Sequence, residues 1–85
     1  MQTIIREMRG IPFFLLKEYL QEMGGVEVEE DFITGDGWSV RLEKLEPFRF
    51  HSISVGQTRL TVKLEERAAE KFLETFGKKT LRAGA

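Results

Sequence analysis

At 85 residues the chain has room for one domain and no second core, because a fold this small buries only about 60–65% of the surface its unfolded chain exposes. A hydrophobic fraction of 41% with 32% charged residues excludes a disordered tail, and the absence of cysteine excludes a disulfide framework and any thiolate metal site, leaving packing or oligomerisation to supply stability. Thirteen basic against fourteen acidic side chains, a formal net charge of -1, argue against a nucleic-acid partner, which calls for a basic excess on one face.

The apolar run at residues 11–16 is far short of the roughly 20 residues of a membrane span and lacks signal-peptide flanks, so a cytoplasmic protein is expected. Asparagine is absent while Glu, Lys and Arg abound, a bias that points to a heat-adapted source.

Residues 2–8 carry the β-branched stretch of a first strand, broken by Arg9-Gly10. Pro12 suits the first turn of a helix and Gly24-Gly25 its left-handed stop, so a helix is expected over 12–23. Phe13, Leu16, Tyr19, Leu20 and Met23 then form its buried side, with Lys17, Glu18, Gln21 and Glu22 opposite.

From Val26 the period becomes two. Val28 and Phe32 alternate with Glu27, Glu29 and Asp31 along one strand, and a three-residue loop Gly35-Asp36-Gly37 turns the chain into Trp38, Val40 and Leu42. That loop sets Phe32 opposite Val40 and Asp31 opposite Arg41.

Glu46-Pro47 is expected to end this strand, since proline cannot donate to a ladder, and Phe48 opens the next, which closes at a Gly56-Gln57 turn. Ile53 then faces Leu60 and His51 faces Val62. The last strand runs over 58–64, and a second amphipathic helix over 65–76 buries Ala68, Ala69, Phe72, Leu73 and Phe76 before Gly77 stops it. The domain thus spans 1–77, and 78–85 reads as a basic tail. The expected fold is α+β, ordered β-α-β-β-β-β-α: a four-strand antiparallel meander plus the N-terminal strand, both helices on one face.

The acidic run Glu27, Glu29, Glu30, Asp31 lacks Ca-loop spacing and reads as the solvent side of a strand, so no metal and no cofactor are implied. His51 is the sole histidine, no serine near it lies in a nucleophile elbow, and its neighbours make it a half-buried, hydrogen-bonded residue, so no catalytic residue is assigned. The glycines join strand to strand or end a helix, whereas phosphate loops join a strand to a helix N-terminus.

Alternation leaves a surplus: Phe48 and Phe50 fall with Arg41, Arg59 and Lys63 on the face away from the helices. Three readings stay open, namely a protein interface, a nucleic-acid-binding sheet, or a bulge after Pro47 that returns both rings to the core. A small-ligand cleft between helix and sheet would need polar groups from Glu30, His51 and Arg9.

Arg9-Gly10-Ile11-Pro12 leading into a Phe/Leu/Tyr helix, Gly24-Gly25, the Gly35-Asp36-Gly37-Trp38 hairpin and the closing helix together resemble one family. It is the C-terminal domain of proteins related to the small, sulfur-carrying subunit of molybdopterin synthase. The resemblance implies a TATA-binding-protein-like β-α-β4-α fold and carries no catalytic motif over to these residues. The end Ala83-Gly84-Ala85 differs from the Gly-Gly terminus of the carrier. The function expected is a non-enzymatic protein-interaction or homo-oligomerisation module, accessory to molybdenum-cofactor or sulfur-transfer metabolism.

Overall fold

A computed structural model describes residues 1–82 of the chain. The elements run β1 (Gln2–Arg9), α1 (Phe13–Glu22), β2 (Val26–Glu29), β3 (Phe32–Gly35), β4 (Trp38–Phe50), β5 (Ile53–Leu64) and α2 (Glu66–Arg82). The five strands form one antiparallel sheet in the order β1-β5-β4-β3-β2, so β2 to β5 are a meander and β1 adds to its β5 edge. This is the α+β fold and element order that the periodicity predicts.

Every second residue of the central strands faces the helices. Val40, Leu42, Leu60 and Leu64 are at most 1% exposed, and Ile33 joins them from β3. Leu16 and Leu20 of α1 and Phe72 and Phe76 of α2 close the core from one side, as their helical spacing requires. The α1 C-terminus is capped as expected: Gly24 turns left-handed with φ 94°, its N–H donates to Gln21 and that of Gly25 donates to Leu20.

The boundaries inside that order differ from expectation in four places. First, residues 26–34 are two strands, not one, folded on a turn at Glu30-Asp31 with a bulge between Glu27 and Glu29. Second, the β3–β4 loop holds two residues, Asp36-Gly37, with φ +82° at Gly37; Ile33 therefore pairs with Val40, and Phe32 pairs with Arg41 instead. A one-residue change of register exchanges faces, so Ile33 enters the core and Phe32 leaves it.

Third, Pro47 does not end its strand. A bulge between Leu45 and Phe48 absorbs it, which is where a strand tolerates a residue with no N–H, and the turn comes at His51-Ser52. Phe48 pairs with Val55 and Phe50 with Ile53, while Leu60 and Val62 pair with Leu42 and Val40. Ile53 does not face Leu60, and His51 does not face Val62.

Fourth, α2 continues through Gly77 to Arg82, so the tail expected from 78 is helix over 78–82. Thr80 is buried and its hydroxyl donates to Phe76 and Gly77 carbonyls, while Lys79 pairs with Glu22 of α1 at 2.8 Å. One glycine costs a helix about 1 kcal/mol, which this docking offsets. Residues 83–85, including the expected Ala83-Gly84-Ala85 end, lie outside the described residues.

Candidate functional site

Pairing with β1 ends at Arg9↔Gln57, apart from one further bond in which Gly10 N–H donates to the Gly56 carbonyl. Beyond that point β4 and β5 pair only with each other, as a two-stranded arm that turns at His51-Ser52. The molecule is correspondingly long, 44 × 24 × 21 Å. A lone two-stranded ribbon is marginal in water, and this one leaves apolar groups uncovered. Phe50 and Ile53, paired at the tip, are 59% and 61% exposed, and Phe48 is 37% exposed.

Arg9 anchors the base of the arm. Its Nε donates to Gln57 Oε1 at 2.9 Å, its guanidinium lies 4.2 Å from the centre of the Phe48 ring, and Gln57 donates in turn to the Glu46 carbonyl at 3.0 Å. His51 has φ 55° in the turn and is exposed, its ring edge-on to Phe50 at 4.3 Å. The half-buried histidine expected from the sequence is thus corrected: a loop tip replaces the strand position assumed for it. Beside the arm base an open apolar groove of about 390 Å³ is lined by Ile11, Pro12, Phe14, Leu45 and Pro47.

Arg41, Arg59 and Lys63 do lie on the sheet face away from the helices, but the face is charge-paired. Arg59 bridges Glu7 at 3.4 Å and Glu43 at 3.3 Å, linking β1, β5 and β4. Arg41 reaches Asp31 at 3.1 Å and Glu29 at 3.6 Å, and its guanidinium covers the Phe32 ring at 4.5 Å. Lys63 is exposed ten residues along β5 from Ile53, about 33 Å at strand rise. The five residues grouped by alternation are therefore two features, an aromatic arm carrying Phe48 and Phe50, and a polar face on which Arg41 and Arg59 are held in ion pairs and Lys63 is exposed.

The trio proposed to line a pocket does not converge. Glu30 sits in the β2–β3 turn at one sheet edge, Arg9 ends β1 at the other edge, and His51 is at the arm tip. Two other surface depressions have different linings. One, about 850 Å³, lies over the Arg41 and Arg59 ion pairs; the other, about 390 Å³, lies between α1 and α2 beside Trp38. At the rim of the latter Arg67 Nη2 donates to Asp36 Oδ1 at 2.8 Å. That hydrogen bond, with the Coulombic attraction of the same guanidinium, holds the Asp36 carboxyl below its usual range.

Sequence reasoning missed Ile53 and Arg9 as arm residues and Ile5 as an exposed residue, 63% accessible, on β1. The usable signal was at the turn: reading His51-Ser52 as a two-residue loop pairs Phe50 with Ile53 and aligns two apolar strand ends.

Among the described residues no helix is long and apolar enough to cross a membrane. The family model for archaeal MoaD-like protein matches residues 4–85, and the chain belongs to that family. None of the curated proteins matches it.

Proposed function

We propose that this archaeal MoaD-like protein is a non-enzymatic interaction module that docks a protein partner on its aromatic arm, in the service of molybdenum-cofactor or sulfur-transfer metabolism. The observation that carries this reading is the arm itself: Phe50 and Ile53 stand uncovered at its tip, and Phe48 is partly exposed beside Arg9, on a ribbon that runs beyond the five-stranded sheet. Aromatic groups in such a position are the anchors that interfaces favour, and covering them stabilises both ring and ribbon.

The metabolic setting comes from the family. A MoaD-like name refers to the small, sulfur-carrying subunit of molybdopterin synthase, a protein that works by meeting other proteins. The polar face supports a protein partner over a nucleic acid. Its Arg41 and Arg59 are already held by four carboxylates, Glu29 and Asp31 on one and Glu7 and Glu43 on the other, so they offer phosphates little unbalanced charge.

The test is a titration of isotope-labelled protein with the carrier and large subunits of molybdopterin synthase from the same organism, read by amide chemical shifts. Shifts concentrated at residues 48–55 and abolished by Phe50→Glu are expected. Binding that Phe50→Glu leaves unchanged, or shifts centred away from the arm, overturns the reading. A single-stranded oligonucleotide at low salt should shift nothing; binding that weakens steeply with salt would replace the protein partner by a polyanion.

A further inference from the structure

We propose that the free edge of β1 pairs with the same edge of a second copy, about a two-fold axis through Ile5, making one continuous sheet of twice five strands. The sheet has two outer edges, and they are built differently. On one side β2 is four residues long, bulged between Glu27 and Glu29, with Glu27 drawn to Lys17 of α1 at 2.6 Å. Short length, a bulge and charge are how folds blunt an edge.

On the other side β1 keeps unbroken register with β5 over eight residues, contains neither proline nor bulge, and carries Ile5 at its middle, 63% exposed. That edge has none of these protections except charge. Its charges, moreover, choose a register. A two-fold axis normal to the sheet pairs antiparallel copies with helices on the same side and must pass through a residue.

Only axes through Ile5 or Arg6 engage seven of the eight strand residues. Through Arg6, the axis sets Arg6 against its own copy and Ile5 against Glu7. Through Ile5, it sets Ile5 against Ile5, Ile4 against Arg6, Thr3 against Glu7 and Gln2 against Met8, with no like charges opposed. Glu7 keeps its bond to Arg59, and the aliphatic stem of Arg6 covers the half-buried Ile4 of the copy. The pairing joins backbone groups along residues 2–8 of the strand and buries the exposed Ile5 side chains against each other. It leaves the aromatic arms free, so a dimer would present two of them.

The chain has no cysteine, which makes the test direct. Opposed residues of an antiparallel pair have Cα atoms about 4.5–5.5 Å apart, within disulfide reach. Ile5→Cys should therefore oxidise to a covalent dimer on a non-reducing gel. Thr3→Cys, whose copy is about 13 Å away across the axis, should cross-link at least tenfold more slowly. By light scattering the wild type should have twice its 9.8 kDa chain mass. Ile5→Lys should be a folded monomer by circular dichroism, while Phe50→Glu should remain dimeric though blind to the arm's partner. A monomeric wild type across the dilution series, a dimer that Ile5→Lys leaves intact, or equal cross-linking of the two cysteines overturns the proposal without touching the arm.

Discussion

Gly35→Ala should be one of the most damaging single-methyl additions in this protein, for a reason that involves no backbone strain. Gly35 has ordinary strand φ, so by conformational entropy alone alanine would stabilise by about 0.4–1 kcal/mol. The methyl, however, would lie 2.5 Å from Trp38 Nε1 and closer still to Cε2 and Cζ2, where ordinary contact is about 3.5–4.0 Å. The indole must retreat by about 1 Å or more. Its retreat is hindered: Trp38 is 8% exposed, packs on the Phe72 ring at 5.0 Å, and already crowds Gly25, where a Cβ would meet Trp38 Cη2 at 2.6 Å. Overpacking of this kind costs about 1–3 kcal/mol, which in a domain of this size lowers the thermal midpoint by roughly 4–8 °C per kcal/mol. The assay is a double-mutant cycle with Trp38→Leu, followed by thermal and urea unfolding. Trp38→Leu alone should destabilise by about 3 kcal/mol through the cavity it leaves, and the added methyl of Gly35→Ala should then partly fill that cavity, giving a coupling of about 1–3 kcal/mol. A single variant as stable as wild type, or a cycle that is additive within about 0.3–0.5 kcal/mol, would refute the packing argument.

Gly77→Ala should do the opposite: beyond the adjoining backbone of its own helix the added Cβ meets nothing within 4 Å and the site is inside α2, so the thermal midpoint should rise by about 4–8 °C, equivalent to about 1 kcal/mol. A lower midpoint would show that the helix does not run through this position. Asp36 should contribute to acid sensitivity. Its folded pKa is lowered by Arg67, so its contribution is present above the unfolded value near 3.9 and is lost as pH falls through the folded value. Asp36→Asn should therefore lose less stability than wild type between about pH 6 and about pH 2.5, measured as urea midpoints; equal losses would show that the pair is not formed in solution.

Most of the fold was legible because the core signals are local and redundant. In α1, spacing, Pro12 and Gly24-Gly25 all mark the same helix, whose Leu16 and Leu20 are fully buried as that spacing requires. The strands were harder, since their register depends on a loop length that several glycines leave ambiguous. With Gly35 counted in the loop, Phe32 faces the core; with Gly35 counted in the strand, Ile33 does. The sequence holds the deciding fact, the indole of Trp38, but its effect is visible only in three dimensions, because the ring lies over Gly35 and requires that residue to lack a side chain. The element order agrees because two turns, at Glu30-Asp31 and His51-Ser52, fall where the alternation suggests none, while two expected breaks, at Glu46-Pro47 and Gly56-Gln57, lie inside strands that run on through them.

The same bulge decides how the candidate site is read. With β4 ended at Pro47, Phe48 and Phe50 belong to a separate strand whose neighbours are Arg41, Arg59 and Lys63, and the patch looks mixed, aromatic and basic. With β4 continued, the rings move outward along one ribbon and the guanidinium groups stay behind, in pairs with Glu7, Glu43, Glu29 and Asp31. Alternation assigns a residue to a face but not to a distance along it, and about 33 Å separates the two ends of the imagined patch. The chemical consequence is a change of partner class. A mixed patch suits a polyanion, whereas an arm whose Phe48 ring is covered by Arg9, itself shared with Gln57, and whose Phe50 and Ile53 pair at the tip suits an apolar protein surface with a polar rim.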